Sequence, residues 1–141
     1  MTNDKGNNDG GTRSDFPGGW KGDKINGFNG NGLTRQQKEA QEFVKKLLNW
    51  RKSKNVIHHG KLMQFTPYSN GIYSYFRYDE KDVVMVIFNS KDKSEIIKLD
   101  RYEEIISDYK SAFDILEEKQ YILDNNFEIK PNSVLVLELK K

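Results

Sequence analysis

The chain has 141 residues, of which 35% are hydrophobic and 31% charged, so it suits one ordinary domain and excludes a large multidomain enzyme. Lysine and arginine number 23 against 21 aspartates and glutamates, and a net charge of +2 is too small to favour a nucleic acid or an anionic membrane as the partner. Because the chain has no cysteine, disulfides, thiolate metal sites and a cysteine nucleophile are excluded.

The first 32 residues contain nine of the eleven glycines and six asparagines, and they show neither helical nor strand periodicity. They are predicted to form a long loop, and loops longer than about 12 to 15 residues are usually functional or disordered. Residues 15–20 combine two large aromatic side chains with turn residues, a mixture that flexible linkers seldom carry. We therefore expect the loop to be ordered when its neighbours are present.

An amphipathic helix is predicted after this loop. Thr34 and Gln37 have the spacing of a capping box, in which each side chain satisfies the backbone N–H of the other residue. An apolar stripe then repeats at helical spacing: Ala40, Phe43, Val44, Leu47 and Leu48. We interpret the stripe as a packing face rather than a ligand groove, and we expect the helix to fray at residues 53–55.

From Gly60 onward the hydrophobic period becomes two. Strands are predicted over residues 62–66, 72–78, 83–88, 95–99, 112–116, 120–123, 127–129 and 133–139. The pair Asn70-Gly71 favours the positive φ of a hairpin turn, and residues 102–106 are expected to form a single helical turn. Short strands at this spacing are typical of an antiparallel sandwich or barrel, so the fold class is mainly β.

Candidate sites for chemistry are few. His58 and His59 are the only histidines, and we interpret them as a solvated turn rather than as metal ligands. The acidic and amide side chains of residues 3–9 match a calcium loop in composition only, because the ligand spacing of an EF-hand is missing. Residues 18–24 are rich in glycine but lack the spacing of a phosphate-binding loop. No metal and no cofactor are therefore predicted.

Tyr73, Tyr75 and Arg77 share one face of a predicted strand. Such a set can stack on sugars or bases, whereas packing on the face of a sheet is the commoner role. The sequence leaves both alternatives open.

One stretch of the loop is specific enough to suggest a family. Residues 13–23 contain the run Asp15-Phe16-Pro17-Gly18-Gly19-Trp20, and further on come Asn26-Gly27-Phe28 and Leu48-Asn49-Trp50-Arg51-Lys52. Together they resemble the C-terminal part of bacterial neopullulanases and cyclomaltodextrinases, in the α-amylase superfamily of glycoside hydrolases. The resemblance continues through residues 60–62, 65–67, 71–77, 86–89 and 99–102, so it covers nearly the whole chain. Its β portion is generic by comparison.

The resemblance implies a C-terminal piece of a longer glycosidase, which we call the parent enzyme. Residues 1–33 would be the loop after the last strand of a (β/α)8 barrel, residues 34–55 the last barrel helix, and residues 56–141 an antiparallel β-sandwich. Loops that follow barrel strands build the active-site face, so this loop would lie at the mouth of the sugar cleft. The rest of the barrel would be the partner of the helix.

In this family, α-1,4 links are hydrolysed with retention by an aspartate nucleophile and a glutamate acid/base from earlier barrel strands. The resemblance therefore implies that the chain holds no catalytic residue and is inactive alone. The parent would act on starch-derived α-glucans such as cyclodextrins, pullulan or maltooligosaccharides. The resemblance suggests the bacterial periplasm, with the cytoplasm as the alternative, and neither nucleic acid nor membrane is an expected partner.

Three residues are candidates for binding the glucan: Arg13, Asp15 and Trp20. A charged pair can hydrogen-bond to sugar hydroxyls, and an indole can stack on a pyranose face. The alternative is that Arg13 and Asp15 merely brace the loop while the aromatic residues pack beneath it. A stand-alone carbohydrate-binding or interaction module is the competing function, in which exposed Tyr73 and Tyr75 would bind glucan unaided.

The helix stripe leads to a separate expectation. Without barrel strands to cover it, the face containing Phe43 and Leu47 should dock onto the sandwich or pair with a second copy, which would give a homo-oligomer.

Overall fold

The computed structural model describes residues 15–67, 71–124 and 126–141. Its helices are α1 (Arg35–Lys52), α2 (Asn55–His59) and α3 (Glu103–Ile106), and a 3-10 turn at Leu99–Tyr102 leads into α3. Its strands are β1 (Lys61–Phe65), β2 (Ile72–Tyr78), β3 (Val83–Asn89), β4 (Glu95–Ile97), β5 (Ser111–Asp114), β6 (Lys119–Ile122), β7 (Phe127–Ile129) and β8 (Ser133–Lys140). The chain divides into two compact units, one ending at Val44 and one comprising Lys45–Lys141.

The described strands form the antiparallel sandwich that the spacing predicts. Six of them make one sheet in the order β1-β2-β3-β8-β5-β6, and β4 pairs with β7 in a small second sheet. Strand β8 pairs with β3 on one side and with β5 on the other, so the end of the chain lies in the middle of the large sheet. The predicted fold class is confirmed.

The main core lies on the inner face of the large sheet, where alternate side chains of the central strands point. It contains Phe76, Met85, Ile87 and Leu137, all fully buried. Tyr102 lies in the same core, and its hydroxyl accepts a hydrogen bond of 2.9 Å from Ser74. Ile97 of β4 and Ile129 of β7 belong to this core, so the small sheet packs against the inner face of the large sheet through apolar side chains.

A second, smaller core lies on the outer face of the large sheet. Its centre is a group of valines, Val84, Val86 and Val136, each almost fully buried. Leu47 and Trp50 from α1, together with Val56 and Ile57 from α2, pack against these valines. Strand β3 is therefore buried on both faces along most of its length.

The start of α1 confirms the predicted capping box. The backbone N–H of Thr34 donates to Oε1 of Gln37 at 2.9 Å, and the backbone N–H of Gln37 donates to Oγ1 of Thr34 at 3.3 Å. The apolar stripe of α1, which was expected to be a packing face, is buried only in part. Leu47 is partly buried against the outer-face valines, but Phe43, Val44 and Leu48 are exposed.

The segment after α1 corrects one prediction. Helix α1 ends at Lys52 and residues 53–54 are not helical, as expected, but residues 55–59, which include the predicted turn at His58 and His59, form α2. Val56 is fully buried on the sheet and Ile57 partly buried, so tertiary packing supports a helix too short to show a period in the sequence. His58 and His59 are exposed, as expected, but they lie in a helix.

Strand β5 ends two residues earlier than predicted, and Asp114 is the cause. This carboxylate is fully buried and accepts hydrogen bonds from the backbone N–H groups of Leu116, Glu117 and Val136. Those bonds turn the chain away from the sheet where the apolar alternation alone continues to residue 116. The hairpin turn at Asn70 lies outside the described residues, although Gly71 has the expected positive φ of 78°. The domain boundaries 1–33, 34–55 and 56–141 stay a prediction.

Candidate functional site

The loop that carries the specific sequence run is shaped by Asp23. Its Oδ2 accepts hydrogen bonds from the backbone N–H of Gly18 at 2.7 Å and from that of Trp20 at 3.2 Å. Gly18 has a φ of 99° in this turn, and a Cβ atom there would lie 2.6 Å from Cγ of Asn26. The glycine is thus required by both conformation and space, and the turn fixes the backbone of Trp20.

Asn26 shapes the second half of the loop. Its Oδ1 accepts a hydrogen bond of 2.9 Å from the backbone N–H of Phe28. The N–H of Gly27 donates to the carbonyl oxygen of Pro17 at 2.9 Å, which joins the two halves. Gln41 of α1 then donates from Nε2 to the carbonyl oxygen of Gly27 at 2.6 Å. The loop is therefore held by its own polar side chains and by the helix that follows it.

This scaffold presents aromatic side chains to solvent. Trp20 is 69% exposed and Phe28 is 76% exposed, and Phe16 is exposed as well. The rings of Phe16 and Phe28 meet edge to face with centroids 5.0 Å apart. Exposed large apolar groups grouped on a short segment usually mark a contact surface, so the loop is a candidate binding element.

Two of the three predicted glucan-binding residues lie within the described residues. Asp15 and Trp20 are both exposed, which suits binding from solution. Arg13 lies outside the described residues, so its proximity to Asp15 stays a prediction. Phe28, the most exposed aromatic residue of the loop, and Asp23 had no predicted role. The available signal was the potential of Asn26 to form an Asx turn with the backbone N–H of Phe28.

A second candidate lies on the outer face of the sandwich, where Tyr73, Tyr75 and Phe88 form a group that we call the outer-face aromatic patch. The rings of Tyr73 and Phe88 have centroids 6.1 Å apart and planes within 19°, and those of Tyr75 and Phe88 are 6.4 Å apart and within 26°. Arg77, the third residue of the predicted set, instead donates a hydrogen bond from Nη2 to the carbonyl oxygen of Ile57 at 3.0 Å. Burial, with a smaller effect of Tyr73, raises the pKa of Tyr75.

Glu138 on the same face anchors the end of α1. Its Oε1 accepts a hydrogen bond of 2.5 Å from Nε1 of Trp50 and lies 2.7 Å from Nζ of Lys54. Burial of Glu138 opposes its ionisation, but the hydrogen bonds from Lys54 and Trp50 and the charges of Lys54 and Lys140 outweigh burial and lower its pKa. The carboxylate therefore stays charged where the helix meets the sheet.

Asp79 is another carboxylate of the described residues that has structural partners. Asp79 accepts hydrogen bonds from the backbone N–H groups of Lys81 and Asp82, and these bonds lower its pKa. Within the described ranges, no group of three or more histidine, aspartate or glutamate side chains is placed to hold a metal ion. The helices of the same ranges include none with the length and hydropathy needed to cross a membrane.

Residues 62–138, more than half of the chain, match the family described as the cyclo-malto-dextrinase C-terminal domain. Solved structures with a similar fold include that of the E221Q variant of AmyP in complex with maltotriose, at a TM-score of 0.66 and 15% identity over 78% of this chain. An α-amylase from Anoxybacillus gives a TM-score of 0.65 at 16% identity over 77% of the chain. The trehalose-6-phosphate hydrolase of Bacillus licheniformis gives 0.57 at 24% identity over 86%.

These solved proteins are much longer than the chain, which spans 22%, 24% and 25% of their respective lengths. At these identities the structural likeness establishes the fold alone.

Proposed function

The chain belongs to the family of cyclomaltodextrinase C-terminal domains, and from this premise we propose that it is the C-terminal part of a glycosidase of the α-amylase superfamily that hydrolyses α-glucans. The family match over residues 62–138 is the observation that carries the proposal. In this proposed glycosidase the sandwich has a structural role, and the nucleophile and acid/base carboxylates belong to a barrel that precedes this segment. Cyclodextrins, pullulan and maltooligosaccharides are the proposed substrates of the parent enzyme.

We propose that the loop contributes to glucan binding through Trp20 and Asp15, with Arg13 as their third member. The exposure of Trp20 and the turn that Asp23 imposes on its backbone support this role, because an exposed indole on a fixed backbone has less freedom to lose when it stacks on a pyranose ring. In the parent, α1 would be the last barrel helix.

The test of the binding role uses the parent enzyme with maltoheptaose as substrate. A stacked aromatic ring contributes about 1 kcal/mol, so Trp20→Ala should raise KM about fivefold. Ile96→Ala is the matched control, because Ile96 is also an exposed large apolar residue but lies on β4 of the sandwich. Equal KM values for the two variants would contradict the role of Trp20.

A stand-alone carbohydrate-binding module is the second candidate function, and the exposure of Phe88 in the outer-face aromatic patch is the observation that favours it. Isothermal titration of the 141-residue chain with maltoheptaose and β-cyclodextrin separates the two candidates. Millimolar or tighter binding supports a module, and absence of binding supports a scaffold that needs its barrel.

A further inference from the structure

The glycine-rich loop contains three Asn-Gly pairs close together in sequence: Asn26-Gly27, Asn29-Gly30 and Asn31-Gly32. In such a pair the backbone nitrogen of the glycine can attack the side-chain amide of the asparagine, because glycine has no side chain to shield that nitrogen. The attack requires a glycine N–H that is not engaged elsewhere, an asparagine side chain that can turn, and access to water. The structure supplies these conditions unequally.

The first pair is held on both sides by hydrogen bonds. Gly27 is buried, and its N–H donates to the carbonyl oxygen of Pro17 at 2.9 Å. Oδ1 of Asn26 accepts hydrogen bonds from the backbone N–H groups of Phe28 at 2.9 Å and of Asn29 at 3.2 Å. The attacking nitrogen and the amide that it must reach are therefore both engaged.

The second pair is held in the same way. Gly30 is half-buried, and its N–H donates to the carbonyl oxygen of Asn26 at 2.9 Å. Oδ1 of Asn29 accepts a hydrogen bond of 3.0 Å from the backbone N–H of Asn31. Attack within this pair would have to break both bonds first.

The third pair differs in each of these respects. Asn31 and Gly32 are both exposed. Among the described residues, neither the N–H of Gly32 nor the side chain of Asn31 has a hydrogen-bond partner. Only the backbone of Asn31 is held, since its carbonyl oxygen accepts from the N–H of Asn26 at 2.8 Å. Its side chain is left able to turn toward Gly32.

We propose that Asn31 is a site of spontaneous modification, at which the chain closes a succinimide ring with Gly32 and releases ammonia. The backbone nitrogen of Gly32 forms a bond to Cγ of Asn31, and the bond from Cγ to Nδ2 breaks. The proton of the attacking N–H leaves with the amide group as ammonia. Water then opens the ring at either carbonyl carbon, which leaves aspartate or isoaspartate at this position. This inference goes beyond the proposed function and does not depend on it.

The product alters the loop at a crowded point. Isoaspartate places Cβ in the main chain, and the new carboxylate adds a negative charge. Gly32 has little room to move, because even a Cβ atom on this residue would lie 2.6 Å from the carbonyl oxygen of Lys24 and 3.3 Å from Cα of Ile25. We therefore expect limited digestion with trypsin to cleave the modified loop after Lys24 faster than the unmodified loop.

The test ages the 141-residue chain in a mildly alkaline buffer and follows one peptide. Complete digestion with trypsin releases all three pairs together in residues 25–35, and the fragmentation mass spectrum of this peptide locates each acid relative to a freshly prepared sample. We expect Asn31 to be modified about fivefold or more faster than Asn26 or Asn29, the ratio that one hydrogen bond on the glycine N–H imposes.

Two controls separate the fold from the sequence. In concentrated urea the hydrogen bonds are lost, so the three pairs should react at similar rates. Asn31→Gln should leave the native peptide largely unmodified, because the longer side chain must close a larger ring, which forms more slowly. Since Asn31 is exposed, this variant should fold as the wild type does.

Three results would overturn the modification site. One is native modification that falls first on Asn26 or Asn29. Another is similar modification of all three pairs in native buffer, which would show that the hydrogen bonds give no protection. The third is a native chain that keeps Asn31 intact, whether or not the chain in urea reacts. Limited digestion that is no faster after modification would contradict the expected displacement at Lys24.

Discussion

Trp50→Phe tests how the end of α1 is attached to the sandwich. The substitution keeps an aromatic ring against the outer-face valines but removes the Nε1–H that donates to Glu138 at 2.5 Å. Glu138 retains its ion pair with Lys54 at 2.7 Å, so the carboxylate is not left without a partner. The variant therefore removes this hydrogen bond between the helix and the sheet together with part of the packing of the larger indole ring.

The expected cost follows from the setting of that bond. A hydrogen bond to a charged group contributes about 1.5 to 3 kcal/mol, and the Glu138 side chain, at 14% exposure, retains limited access to water. A loss of about 1 to 2 kcal/mol is therefore expected. For a domain of this size about 3 °C of melting midpoint corresponds to 1 kcal/mol, which gives a fall of about 3 to 6 °C.

Urea unfolding and thermal melts measure the stability lost in Trp50→Phe. The pH dependence of stability separately measures the contribution of Glu138. Because the pKa of Glu138 is lowered in the folded state, its contribution is present above its usual value of 4.5 and is lost as the pH falls through the lowered value. Glu138→Gln should therefore narrow the difference in stability between pH 6 and pH 3 relative to the wild type.

Trp20→Phe is the matched control, because Trp20 lies exposed on the loop and should tolerate the change without loss of stability. If Trp50→Phe melts at the wild-type temperature, or if Trp20→Phe costs as much, the proposed attachment is wrong.

Four further predictions concern the loop, the core, the stripe and catalysis. Gly32→Ala should open the loop to trypsin at Lys21 and Lys24, because Gly32 has a φ of 74° and a Cβ there would lie 2.6 Å from the carbonyl oxygen of Lys24. Gly30→Ala is the control, since Gly30 has a φ of 79° but no atom lies within 4 Å of its Cβ position, and it should be cleaved less. Equal cleavage of the two variants would contradict the steric argument. Hydrogen exchange should be slowest in β3 and β8 and fast in residues 15–33, and the reverse order would refute the assignment of the stable core. Phe43→Glu with Leu48→Glu should prevent pairing of two copies through the stripe and so increase the elution volume in size-exclusion chromatography. The melting midpoint should not fall, since both residues are exposed. An unchanged elution volume at high protein concentration would show that copies do not pair through the stripe. The 141-residue chain should release no reducing sugar from pullulan, cyclodextrin or soluble starch, and turnover that Asp15→Asn abolishes would overturn that expectation.

Local patterns predicted the elements that have a local cause. The capping box at Thr34 and the alternation along β2 depend on residues close together in sequence, and both appear in the structure. The predicted end of β5 was wrong because Asp114 is buried and binds the N–H of Val136, 22 residues away, as well as the N–H groups of Leu116 and Glu117. Helix α2 was missed because five residues carry no period, and burial of Val56 on the sheet supports it.

In the candidate sites, too, features with a local cause in the sequence were predicted and features that depend on distant residues were not. The specific run in the loop singled out Trp20, and the structure presents that side chain to solvent. The contact between Trp50 and Glu138 joins residues 88 apart, and the pairing of Tyr73 with Phe88 depends on the register of two strands. Neither can be calculated from hydrophobic periodicity, because register and helix docking are set by the packing of the whole sandwich.

Reducing-sugar release from β-cyclodextrin, measured side by side for the 141-residue chain and for the protein encoded by its complete reading frame, tests the central claim most directly. The account predicts that the complete protein hydrolyses the substrate and that the chain alone does not, because the catalytic carboxylates belong to a preceding barrel. Turnover by the chain alone, or a complete protein that contains no barrel and hydrolyses no α-glucan, would contradict it.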